Sequence, residues 1–288
     1  MRGGVHRRCE ALQGQVGGCC RYAGGCGVKV ISVSDLSGFI YCPRSVYLSR
    51  VLGVVPPGSD PQGRGMVGHA IRRELSMRQA KLVRKIDSSE DVETILNSEL
   101  EAVISDIPYI FSERWVEGYS KFIPEVRSEV QSEIQLLGEE LSALISDLGF
   151  ERALERVTPW KTEYILRSEA LNMKGRVDKV MRADCFEPVE IKTGRVPDGV
   201  WDGDRVQLCA YALLLEERFK EGVSHGFVEY TRVQERRPVV FTEKLRRQVI
   251  HARDLLSELL DGGLPDICPH GQPRKCESCN LVDECYEV

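Results

Sequence analysis

The sequence predicts an α/β fold, and three observations predict it. Between Thr162 and Lys192, three short segments (162–166, 174–181 and 188–192) are rich in β-branched and aromatic residues, with turn formers at Asn172 and at Ala183-Asp184 between them. A helical stretch over 202–221 then leads to a fourth such segment at 226–231, the order in which a crossover helix joins strands of one sheet. Upstream, residues 86–156 carry apolar side chains at spacings of three and four, the helical period. A chain of 288 residues is long enough to bury a substantial core under these elements.

Taken in order, residues 1–28 hold eight glycines and Cys9, Cys19, Cys20 and Cys26 with almost no apolar periodicity, and a disordered leader is expected there. Order is expected from Val30. Ser34-Asp35-Leu36 marks a helix start, with Phe39, Ile40, Tyr41, Val46, Tyr47 and Leu48 as its apolar face and Cys42-Pro43-Arg44 inside it. The Pro/Gly-rich stretch 54–68 reads as a loop, and a helix starts at Gly68-His69-Ala70-Ile71. Val92, Ile95, Leu96, Leu100, Val103, Ile104 and Ile107 form one helical stripe; Val126, Val130, Ile134, Leu137, Leu141, Leu144 and Leu148 form another. Residues 72–156 hold 11 basic and 18 acidic side chains, so these helices are not a surface for a polyanion. Their charges are expected on a solvated face, and the block itself is a candidate cap or protein-docking face. A closing amphipathic helix over 242–260 precedes a tail rich in Pro, Gly and Cys.

Composition narrows function. No apolar run approaches the ~20 residues that cross a bilayer, and no apolar stretch follows the basic N-terminal residues, so a cytoplasmic protein without a membrane partner is expected. Eleven cysteines are then better explained by metal or cluster ligation than by disulfides. A net charge of −5 excludes a uniformly basic nucleic-acid coat but leaves room for a local one. Arg232, Arg236, Arg237, Lys244, Arg246 and Arg247 are candidates for it, or for simple surface solubility.

The sharpest local pattern is Gly175-Arg176-Val177-Asp178 followed by Glu190-Ile191-Lys192. On a hairpin Asp178 and Glu190 can converge, and Glu190 and Lys192 share a sheet face. Two carboxylates suit Mg2+ or Mn2+, and a neighbouring lysine can hold an attacking water or offset phosphate charge. Alone, the pattern equally describes a surface salt bridge. His69 can add an imidazole ligand or be structural. Gln207 and Tyr211, four apart on the crossover helix, can hydrogen-bond a phosphate or base, or be core residues. Glu163, on the first strand, is a candidate supporting group. The strongest spacing is Cys276-x2-Cys279-x5-Cys285, which needs a fourth thiolate; Cys42 supplies one, or Cys268 replaces a member, for a zinc ion or an iron–sulfur cluster. Cys185 and Cys209 are expected in the core.

These motifs, in this order, resemble the RecB-like nucleases of the CRISPR adaptation machinery, the fourth CRISPR-associated exonuclease family (Cas-four), within the PD-(D/E)XK superfamily. The likeness covers about residues 30–70 and 160–288. It implies a restriction-endonuclease-like core at 159–262, N-terminal helices at 29–71, a helical insertion at 72–158 and a C-terminal iron–sulfur region at 263–288. It further implies that His69, Asp178, Glu190 and the Ile191 carbonyl bind the divalent metal and that Lys192 is catalytic with Asp178 and Glu190. Cys42, Cys276, Cys279 and Cys285 would hold a [4Fe–4S] cluster, and Gln207 and Tyr211 would line the DNA path. The implied activity is metal-dependent exonuclease action on single-stranded or overhang DNA, trimming spacer precursors beside the CRISPR integrase, with a homo-oligomer among the possible assemblies. A RecB/AddB-like repair nuclease and a weakly catalytic DNA-end-binding adaptor are the alternatives. The long helical segment and the leader depart from the compact family pattern.

Overall fold

A computed structural model describes residues 29–56, 58–82, 89–182, 184–267, 271–277 and 279–288. The expected leader at 1–28 and Cys268 lie outside the described residues.

One mixed sheet organises the chain. Its centre is β3 (Met173–Arg182), antiparallel to β2 (Lys161–Ser168) on one side. On its other side β3 meets the short parallel β1 (Ile31–Ser32) at its start and the antiparallel β4 (Phe186–Lys192) at its end. Then come β5 (His225–Tyr230), parallel to β4, and β6 (Glu235–Val240), antiparallel to β5. The α/β expectation holds. Sequence missed β1, whose two residues are too few for a period, and β6, where Arg236, Arg237 and Pro238 hide the alternation of an edge strand.

The helix expected through Cys42 is two helices, α1 (Val33–Tyr41) and α2 (Pro43–Arg50). Cys42 is extended (φ −160°, ψ 106°), as a residue before proline prefers, and Pro43 opens α2 where no amide is needed. The expected loop at 54–68 is corrected more strongly: α3 runs from Asp60 to Leu82. Its glycines mark close packing. A Cβ on Gly63 would lie 2.5 Å from Tyr119 Cδ1, and one on Gly68 would lie 3.1 Å from both Arg72 and Thr193. The helical period over 86–156 becomes α4 (Ser89–Ile110), α5 (Glu113–Tyr119), α6 (Ile123–Leu148) and α7 (Phe150–Val157). The crossover is α8 (Asp202–Phe219), and α9 (Glu243–Leu260) is the closing helix. Two short helices, α10 (Pro273–Glu277) and α11 (Val282–Glu287), end the chain.

Two apolar cores result. Ile31, Leu36, Met173, Val177, Phe186, Leu208, Tyr230 and Leu256 belong to the first, between the sheet and α1, α8 and α9. Ile71, Leu100, Val103, Val126, Val130 and Leu141 belong to the second, among α3, α4, α6 and α7. Helix α3 joins the second core to the sheet through buried arginines. Arg64 donates to Glu125 (2.7 Å) and to the Thr193 carbonyl (3.0 Å), and pairs with Glu129. Arg72 donates to Glu133 (2.5 Å). The acidic face expected to be solvated thus turns two of its carboxylates, Glu129 and Glu133, toward buried arginines, while Glu125 stays exposed. Cys209 is buried as expected, whereas Cys185 is half-buried at the turn after β3.

Candidate active site

The registers of β2, β3 and β4 put three carboxylates in one row. Thr162 faces Lys179 and Tyr164 faces Val177, which sets Glu163 opposite Asp178. On the other edge Lys179 faces Val189, which sets Asp178 opposite Glu190. Asp178 and Glu190, expected to converge, are both buried, and the Asp178 charge acts on Glu190. The Ile191 amide donates to Asp178 Oδ2 (2.8 Å), fastening the two strands at the site. His69, on α3, brings Nε2 to 3.3 Å from the same oxygen.

One ligand atom each from His69, Glu163 and Asp178 lies within 4.8 Å of the other two. Glu190 stands beside this group with a different set of partners. Its Oε1 accepts from Gln207 Nε2 (2.7 Å) and lies 3.1 Å from Lys192 Nζ. Its Oε2 is buried with no hydrogen-bond partner among the described residues. Burial first, and the Asp178 charge second, push Glu190 up to about 7. A buried carboxylate oxygen without a donor beside a second carboxylate suits a divalent cation, which would replace the missing positive charge. His69 is raised chiefly by its hydrogen bond to Asp178, and Glu163 by burial.

Lys192 is held on three sides: Nζ donates to Gln207 Oε1 (2.9 Å) and lies 3.1 Å from both Glu190 and Asp204. Tyr230 OH donates to the other Asp204 oxygen (3.1 Å). Those carboxylates keep the ammonium protonated despite burial. Gln207 and Tyr211, expected to line a DNA path, are 5% and 3% exposed. Gln207 Nε2 also donates to Tyr211 OH (3.2 Å), so both side chains spend their contacts on the site itself. Asp204 escaped the sequence reading, although it lies one turn before Gln207 on α8.

The second cluster is at the chain's end. Cys42, Cys276, Cys279 and Cys285 are half-buried cysteines outside any disulfide, and they line one cavity of about 30 Å³ between α2 and the C-terminal helices. Arg44, 2% exposed, donates to the Cys285 carbonyl (3.1 Å) and sulfur (3.2 Å), to the Pro265 carbonyl (2.7 Å) and to the Val288 carbonyl. One buried guanidinium therefore ties the tail to the N-terminal helices. The expected basic patch is partly consumed: Arg237 pairs with Glu235, Arg246 with Glu216, and Arg236 approaches Glu187.

A sheet that sets Asp178 and Glu190 opposite each other, with Lys192 two residues on, is the arrangement a PD-(D/E)XK nuclease needs. The family model for the PD-(D/E)XK nuclease superfamily matches residues 30–286, and the chain belongs to that superfamily. Within it the chain is similar to the CRISPR-associated exonuclease Cas4 of Rhodospirillum rubrum, at 32% identity over 125 residues, 42% of this chain and 37% of that protein. It is similar also to a CRISPR-associated exonuclease Cas4/endonuclease Cas1 fusion of Geobacter sulfurreducens, at 33% over 131 residues, 42% of this chain and 22% of the fusion. The DNA replication ATP-dependent helicase/nuclease dna2 of Schizosaccharomyces pombe matches 89% of this chain and 18% of its own length at 22% identity. The Cas4 likeness carried by the motifs is borne out, and the chain spans between 18% and 37% of the length of these relatives. Among the described residues, no helix is long and apolar enough to cross a membrane.

Proposed function

We propose that the chain is a metal-dependent DNA exonuclease acting on single strands or overhangs, and that it processes spacer precursors during CRISPR adaptation. The observation that carries the hydrolytic reading is the row Asp178–Glu190 with its buried, unpartnered carboxylate oxygen. His69, Asp178, Glu190 and the Ile191 carbonyl would hold Mg2+ or Mn2+, which when bound acidifies a water and offsets charge on the phosphate. Asp178 and the Ile191 amide fix the strand pair around the reacting phosphate. Lys192, held by Glu190, Asp204 and Gln207, keeps its proton and points a positive charge at the leaving or attacking oxygen. Gln207 and Tyr211 act as positioning residues for Glu190 rather than as a strand's path.

The thiol quartet suits a [4Fe–4S] cluster on Cys42, Cys276, Cys279 and Cys285, with a structural part, since hydrolysis moves no electrons. Arg44 supports that site by donating to the Cys285 sulfur. Protein purified without oxygen is expected to be brown, and a colourless protein with one zinc would assign the site to zinc. DNA as substrate and an integrase partner rest on the likeness to the Cas4 and Cas4/Cas1 proteins. A second reading, a nuclease of replication or repair, is favoured by the match to dna2, which alone of these relatives extends over 89% of this chain. Labelled single strands, with and without a Cas1-type integrase, separate the two. Integrase-dependent trimming of spacer-like ends supports the first reading, and integrase-indifferent degradation of flaps the second.

A further inference from the structure

We propose that Glu163 is a direct ligand of the catalytic cation, so that this chain presents His69 and three carboxylates in a row. The inference rests on the metal-dependent reading above and adds a residue that reading does not use. The first support is geometric. His69, Glu163 and Asp178 are the described residues whose ligand atoms come within 4.8 Å of one another. An octahedral ion with bonds of ~2.1 Å holds neighbouring ligand atoms ~3.0 Å apart and opposite ones ~4.2 Å apart. His69 Nε2 and Asp178 Oδ2, at 3.3 Å, already match neighbouring positions, and Glu163 closes the set by a rotamer adjustment. The second support is topological. Glu163 flanks Asp178 from β2 as Glu190 flanks it from β4, so an ion bound to Asp178 sits between two carboxylate-bearing strands.

The third support lies in what each flanking carboxylate already contacts. Glu190 is 6% exposed; one oxygen is engaged by Gln207 and Lys192, and the other has no hydrogen-bond partner among the described residues. That orphaned oxygen is independent evidence that positive charge belongs in this row. Among the described residues Glu163 pairs with Arg176, at 2.9 Å, and the Arg176 side chain is 55% exposed while that of Glu163 is 12% exposed. A solvated guanidinium compensates such a buried carboxylate weakly. Glu163 also holds φ +49°, a costly value for a non-glycine residue in a strand, so its backbone is fixed by its surroundings.

The test is Mn2+ binding to the full chain, read by calorimetry and by the Mn2+ electron paramagnetic resonance signal. The set comprises Glu163→Gln, Glu163→Asp, Arg176→Gln and Asp178→Asn. Glu163→Gln is expected to weaken Mn2+ by more than the ~10–100-fold that loss of a group behind a ligand costs, and to change the Mn2+ resonance signal. Glu163→Asp, which keeps the charge but retracts it, is expected to weaken it less while retaining the fold by circular dichroism. Arg176→Gln should stay within threefold of the parent. If Glu163→Gln and Glu163→Asp both bind Mn2+ within twofold of the parent while Asp178→Asn loses it, Glu163 is only an ion-pair partner of Arg176 and the inference is overturned with the metal reading intact. If Asp178→Asn also binds normally, the metal reading itself has failed and takes this inference with it.

Discussion

Gly175 is the residue through which a single methyl group would reach the active site without touching its chemistry. Its φ is not in the left-handed region, so the reason for glycine is space. A Cβ there would lie 2.6 Å from Tyr211 Cε1 and 3.0 and 3.1 Å from Val33 Cγ2 and Cβ. Val33 is 0% exposed and Tyr211 3%, so neither has solvent to move into. Replacing glycine by alanine within a strand gains about 0.5–1 kcal/mol of backbone entropy, whereas overpacking a closed core costs about 1–3 kcal/mol. The clash wins, and Gly175→Ala should destabilise by about 1–2 kcal/mol. For a chain of this size that is roughly a 2–3 °C fall in Tm. Because Tyr211 contacts Gln207, which contacts Glu190, the displaced ring should also lower kcat with KM little changed. Calorimetric melting and single-turnover cleavage would be run on Gly175→Ala, Tyr211→Leu and the double variant. The double variant should recover part of the stability lost by Gly175→Ala, as residues in contact couple. A Gly175→Ala protein that melts at or above the parent would refute the packing argument.

Gly118 supplies the opposite sign: it lies in α5 with nothing within 4 Å of an added Cβ, so Gly118→Ala should stabilise by about 0.5–1 kcal/mol in urea unfolding. Arg64→Met strips buried partners from Glu129 and the Thr193 carbonyl, and should cost about 2–4 kcal/mol; the Glu125 carboxylate, half exposed, adds little. A loss below about 0.5 kcal/mol would show that α3 is not held to the sheet by this contact. In cation-free protein Glu190 sits at about 7, above its unfolded value, so its protonation stabilises the fold at acid pH and that contribution disappears as pH rises through about 7. Tm in a metal chelator should therefore fall between pH 5 and 8, and Glu190→Gln should flatten the fall; an unchanged slope contradicts the burial argument. His69 is raised too and acts in the same direction.

Much of this site was legible in the sequence because its carriers are regular. Strands with period two and a tight hairpin make the facing of Asp178 and Glu190 predictable, and Lys192 follows from the same alternation. Gln207 and Tyr211 share a helix face at four-residue spacing, which placed them together but not what they hold. Glu163 could not be ranked, since a lone glutamate on a strand has no signature until the β2–β3 register is known. Asp204 likewise became meaningful only once α8 was laid across β4 and β5. Glycines misled at 60–68: their role there is to let α3 approach Tyr119 and Thr193, and composition alone reads them as a loop. The carboxylates at 129 and 133 read as solvated because their partners, Arg64 and Arg72, lie some sixty residues away in sequence; Glu125 is exposed as expected.

The most direct measurement of the central claim is cleavage of end-labelled single-stranded DNA by the full chain over a Mn2+ titration, beside Asp178→Asn and Lys192→Ala. The account predicts progressive shortening from an end that requires Mn2+, and loss of at least about a hundredfold in rate in both variants, with both still folded. Shortening that proceeds in chelator, or that survives both substitutions, would contradict it.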